Sequence, residues 1–142
     1  MMNLSTAVRE LYSAFTPAML RALPDVYAED IHFVDPLHSV HGLDHLHEYF
    51  EATMEGLEEC RFDIHHCMDS TQQGEAVLFW TMHYRHRKLN GGSPLSLPGT
   101  SHIRYSDRVF YHRDYYDAGA MIYEHIPLVG SVIRHIKTRV TT

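Results

Sequence analysis

The chain has 142 residues, 44% hydrophobic and 21% charged, a balance that fits one globular domain around a single core or pocket and excludes a disordered chain. A net charge of -6 argues against non-specific nucleic-acid binding, and no apolar run is long enough to span a membrane. Met1 to Phe15 carries Arg9 and Glu10 inside an apolar periodicity and lacks a small-residue cleavage site, so it reads as a mature helix and the expected location is cytoplasmic.

Leu4, Val8, Leu11 and Phe15 lie on one helical stripe. Thr16-Pro17 reads as the start of a second helix to about Ala28, broken or kinked at Pro24. A short strand, Ile31 to Asp35, ends in Asp35-Pro36 and a histidine-rich turn. A third helix, with Leu43, Leu46, Phe50 and Leu57 inward, starts near Gly42 and ends before Cys60. Alternation then predicts strands over about 61–70, 75–89 and 101–106, with Gln72-Gln73-Gly74 and Asn90-Gly91-Gly92 as turns. Residues 93–99 carry two prolines and read as a loop or ragged strand end. A last strand runs from Val109 to Asp117. Ile122, Ile126, Val129, Ile133, Ile136 and Val140 then form one apolar face of a helix pair, with Pro127 starting the second helix.

Two composition features have plain readings. Cys60 and Cys67 are seven apart in one predicted strand, which places them on opposite faces as two reduced thiols. The 13 histidines include His38, His41, His45 and His47, but His45 and His47 point about 200° apart on a helix, so no metal site is expected. The basic, aromatic run His83 to Lys88 reads as a solvated strand end or a dimer face.

Helices followed by a run of long strands imply an α+β domain. The Asp35-Pro36 strand end, followed by a Gly42-led amphipathic helix, resembles the SnoaL-like and ketosteroid isomerase-like branches of the nuclear transport factor 2-like superfamily. The resemblance covers about residues 4–118. It implies a cone-shaped barrel: a strongly curved antiparallel sheet packed against three N-terminal helices, with a C-terminal helix added over about 119–140, all in one domain of residues 1–142.

The resemblance also implies site residues. Asp35 stands where the isomerases carry their catalytic base, and Tyr12, 23 residues earlier, where they carry an oxyanion-hole tyrosine. Their second oxyanion donor is a protonated acid on a later strand; here that place falls to Ser101, with His102 beside it, a departure from the steroid isomerase pattern. Tyr111 to Asp117 resembles the last strand of SnoaL-like proteins. Period-two alternation puts His112, Asp114 and Tyr116 on one face, so Asp114 with His102 or His112 is a candidate acid-base pair for a cyclase-type reaction. Phe33, Trp80, Ser101 and Tyr116 are the expected pocket walls. An epoxide-hydrolase set would use Arg104 and Asp114, but its third member is missing because Ser106 stands there.

The expectation is a pocket protein for a small apolar organic molecule, with isomerisation, cyclisation or hydration by Asp35 as the chemistry in play and no cofactor required. Expected partners are the small molecule and a second copy in a homodimer, with neither nucleic acid nor membrane. The alternative is a non-catalytic ligand-binding or dimeric interaction module of the same fold. An open polar pocket favours the first and a filled interior the second.

Overall fold

The computed structural model describes residues 3–121 and 129–141. Asn3 caps the first helix, α1 (Leu4–Leu11), by accepting from the Ser5 amide at 2.7 Å. Val8, Leu11 and Tyr12 are buried beneath it. The expected second helix ends early. Pro17–Ala22 is a 3-10 turn, Pro24 sits in the first turn of a four-residue α2 (Leu23–Val26), and strand β1 (Tyr27–Val34) takes over at Tyr27. Proline at a helix start costs no backbone bond, so Pro24 opens a helix and kinks none.

The histidine-rich turn contains a short strand, β2 (Ser39–His41), paired antiparallel with β1. Gly42, at φ +91°, then starts α3 (Leu43–Met54), which buries Leu46 and Phe50. The long strands follow: β3 (Leu57–Ser70), β4 (Glu75–His86), β5 (Leu95–Tyr105) and β6 (Val109–Tyr115). The short helix α4 (Ala118–Met121) and helix α5 (Val129–Thr141) complete the described chain. The contribution of Ile122 and Ile126 to the apolar face, and the helix start at Pro127, lie outside the described residues.

The six strands form one sheet in the order β2-β1-β6-β5-β4-β3. The α+β cone arrangement is present, with two corrections. The sheet is mixed, because β1 runs parallel to β6, and it is open, with β2 and β3 as its edges. The chain between β1 and β6 spans most of the domain, so nothing forces the antiparallel return a hairpin would impose. The helices pack on one face. On β4 the even positions Ala76, Leu78, Trp80, Met82 and Tyr84 are buried and the odd ones are half-buried.

Strand β5 starts well before the expected boundary, and the two prolines do not prevent it. Pro98 pairs with Thr81 of β4, while β6 reaches β5 only from Thr100 onward. The missing proline N–H therefore falls on a free edge. Gly99 lies opposite Trp80, and a β-carbon there would meet the indole at 2.1 Å. A second correction concerns the cysteines. A bulge between Ile64 and His66 adds one residue to β3, so Cys60 faces Tyr84, Cys67 faces Leu78, and both lie on the inner side. Both are free thiols; burial pushes Cys60 up to about 12.

Candidate functional site

Between α3, the loop after β1 and the inner face of β3–β4 lies a cavity of about 470 Å³. Its walls are mainly aromatic: Phe15, Phe33, Phe50, Phe62, Trp80 and Tyr116 all contribute. Two carboxylates, Asp35 and Asp114, open into it. His86, Lys88 and Met121 also line it. A second hollow of about 790 Å³ lies between α1, α2 and the β5–β6 turn, with Glu10, Asp25, Asp107 and Arg108 around it. It has no comparable apolar enclosure, so the smaller cavity is the better ligand site despite its volume.

Asp35 sits one residue past β1. Its Oδ1 accepts from the amides of Leu37 at 2.8 Å and His38 at 2.9 Å, and its Oδ2 accepts from the Tyr49 hydroxyl. The carboxylate lines the cavity, as the resemblance implies, while all three donors come from the protein and hold the loop closed. That is turn chemistry and pocket chemistry in one side chain. Burial, followed by the bond to Asp35, drives the Tyr49 phenol well above its ordinary value, so it stays a donor.

Asp114 has a different environment. Its Oδ1 accepts from Ser101 Oγ at 2.5 Å and from His112 Nε2 at 2.8 Å. Ser101 Oγ in turn accepts from Trp80 Nε1 at 2.8 Å. A carboxylate at Nε2 selects the tautomer with the proton there, so His112 Nδ1 accepts from Tyr27 at 2.8 Å, and Tyr27 accepts from Tyr12 at 2.8 Å. Every donor in this buried chain points toward Asp114. Among the described residues no donor meets Asp114 Oδ2, and the side chain keeps 12% of its surface accessible, on the cavity. Two residues on, the Tyr116 hydroxyl has no hydrogen-bond partner among the described residues and also lines the cavity. Burial, then the charges of Asp35 and Asp114, raise its pKa, so it remains protonated. A free carboxylate oxygen and a free phenol donor thus share one wall, one able to take a proton and the other to stabilise a developing oxyanion.

The sequence candidates sort as follows. Tyr12, Asp35, Asp114, Phe33, Trp80 and Tyr116 all line the cavity. Ser101 lies just behind it, bridging Trp80 and Asp114. His102 does not join them. Alternation turns it to the outer face, where its Nε2 meets Glu75, and the inward histidine is His112, 1% exposed. Tyr12 is in place, but its hydroxyl is tied to Tyr27. Burial, then Tyr27 and Asp114, raise its pKa strongly. Arg104 is exposed against Phe110, away from Asp114. Arg85, in the basic strand end, pairs with Glu58 and Glu59. The dense histidines disperse: His38 packs on Tyr49, His41 stacks on His32 at 4.0 Å, and His45 Nδ1 bonds its own helix start at His41 O. No metal-binding group of three converges among the described residues.

Sequence reasoning missed Tyr27, Tyr49 and the central place of His112. Tyr49 was recoverable, since it shares the α3 face of Leu46 and Phe50. Tyr27 was hidden by the helix expected to run through it.

The SnoaL-like domain family matches residues 8–112. A search of curated protein sequences finds no significant match. Among solved structures, an NTF2-like protein of unknown function from Burkholderia pseudomallei superposes with a TM-score of 0.75 at 21% identity, over 89% of this chain and 99% of that one. A protein provisionally described as a SnoaL-like polyketide cyclase, from Jannaschia sp., gives 0.74 at 12% identity, over 88% and 92%. A ketosteroid isomerase-like protein from Catenulispora acidiphila, crystallised with trimethylamine, gives 0.72 at 15% identity, over 88% and 94%. At these identities the likeness is one of fold.

Proposed function

We propose that this chain, which belongs to the SnoaL-like domain family, binds a small, largely apolar carbonyl compound in the 470 Å³ cavity and moves a proton on the carbon beside its carbonyl group. The observation that carries the reading is the pairing of an Asp114 oxygen and a Tyr116 hydroxyl, each without a hydrogen-bond partner among the described residues, in an aromatic wall. Asp114 Oδ2 takes the proton from carbon, Tyr116 donates to the oxygen that gains negative charge, and the proton returns to the same or a neighbouring carbon. Isomerisation and aldol cyclisation both begin with this step. Asp35, placed first by the resemblance, is here a loop pin facing the ligand, because its oxygens already hold three donors. Tyr12, Tyr27, His112 and Ser101 are positioning residues that fix Asp114. No step calls for an organic cofactor.

An open cavity, in place of a filled interior, favours this reading over a purely structural interaction module. Trp80 is the chain's one tryptophan and stands in the wall, so its fluorescence reports occupancy directly. Titration with a bicyclic aryl ketone such as 2-tetralone should change that emission saturably. Tyr116→Phe should weaken binding about fivefold, the worth of one hydrogen bond. An emission unaltered by such ketones would remove the ligand class.

A further inference from the structure

The cavity holds a charge imbalance that proton transfer alone does not use. Asp35 and Asp114 both open into it, and among the described residues no Lys or Arg pairs with either. Asp35 takes its hydrogen bonds from neutral donors, the Leu37 and His38 amides and the Tyr49 hydroxyl. Neutral donors orient a carboxylate without cancelling its charge, and a charge in an apolar cavity calls for an opposite one. A carboxylate offers about four acceptor sites, so one on Oδ2 stays open to the cavity. The one Lys or Arg among the described wall residues is Lys88. It is exposed and follows β4, with β5 and β6 between it and β1 in the sheet. Burial, then Arg87 and Lys88, lower the His86 pKa, so that imidazole brings no charge to the wall.

Both carboxylate charges reach the surrounding rings. Burial is the largest cause of the raised pKa of Tyr12, Tyr49 and Tyr116, and the charges of Asp35 and Asp114 add to it at all three. Tyr49, bonded to Asp35, packs with Phe33 and Phe50 on the same wall, with ring centroids 6.2 and 6.1 Å away. Ring faces attract cations, most strongly where water is excluded. The chain's net charge of -6 adds a long-range attraction of the same sign.

We propose that the cavity selects a cationic ligand, so that the carbonyl compound carries a protonated amine held at Asp35 among Phe33, Tyr49 and Phe50. This rests on the reading of Asp114 and Tyr116 given above and divides the labour between the two aspartates: Asp35 anchors the ammonium, and Asp114 acts on the carbon beside the carbonyl. An N–H of the ammonium donates to the open site on Asp35 Oδ2, and its alkyl groups lie against the rings.

The test uses three probes with one bicyclic frame and different charge, each titrated by Trp80 emission: 2-aminotetralin, protonated at neutral pH; 2-tetralol, neutral; and tetralin-2-carboxylate, anionic. Wild type should bind the amine at least about tenfold more tightly than the alcohol, and the carboxylate more weakly than either. Asp35→Asn keeps an oxygen acceptor for the loop amides and removes the charge, so the amine preference should shrink to about threefold or less. The ratio of affinities is the readout, so a loosened loop that weakens all binding does not imitate the result. The wild-type comparison needs no variant at all. Equal affinity for amine and alcohol would overturn the proposal, as would an amine preference that survives Asp35→Asn. Tightest binding of the carboxylate, lost in Lys88→Gln, would assign the site to an anion and overturn it too. Alcohol binding without an amine preference sinks this inference alone, whereas silence from all three probes and from 2-tetralone removes the ligand reading with it.

Discussion

At the scale of the residue, the site turns on two aspartates with similar surroundings and different freedom. Asp35 was legible from its Asp-Pro setting, and it does reach the cavity, but three protein donors occupy it. Asp114 was legible from alternation with His112 and Tyr116, which held through the end of β6. The bonds that orient it were not legible. Tyr27 and His112 are 85 residues apart, and no local pattern reports a contact of that separation. The chain Tyr12–Tyr27–His112–Asp114 makes a prediction of its own. Tyr27→Phe leaves buried Tyr12 and His112 groups without partners, which should cost about 1–3 kcal/mol in urea unfolding. A change within about 0.5 kcal/mol would mean the chain is not cooperative. An Asp114 misplaced by the same substitution should also bring slower proton exchange on a bound ketone at nearly unchanged ketone affinity.

Elements were predicted well where periodicity was long and poorly where one residue broke it. The β4 alternation and the α3 stripe read cleanly because each runs over three or more repeats. The β3 bulge shifts parity by one residue with no signal in composition, which is why the cysteines changed faces. The front of β5 was read as loop because proline and glycine weaken strands in general. Here Pro98 meets a free edge and Gly99 yields its side-chain space to Trp80. Gly99→Ala should therefore destabilise the domain by about 1–3 kcal/mol as the indole is forced aside. It should also shift Trp80 emission in the unliganded protein. An alanine variant with wild-type stability and emission would show that the wall has slack at this point.

At the scale of the whole molecule, one face of the sheet carries the helices and the cavity, and Met121 of α4 contributes to the cavity wall. In the proposed reaction an aromatic wall limits water around Asp114 and Tyr116, and a drier site strengthens a hydrogen bond from Tyr116 to a developing oxyanion. The carboxylate of Asp114 lines the cavity in which the proposed ligand would lie. The measurement that tests this most directly is hydrogen–deuterium exchange at the α-carbon of 2-tetralone in D₂O, followed by NMR with wild type, Asp114→Asn and Asp35→Asn. Catalysed exchange should fall by about 100-fold or more in Asp114→Asn and only several-fold in Asp35→Asn. Exchange that survives in Asp114→Asn and disappears in Asp35→Asn would contradict the account and return the base to the end of β1.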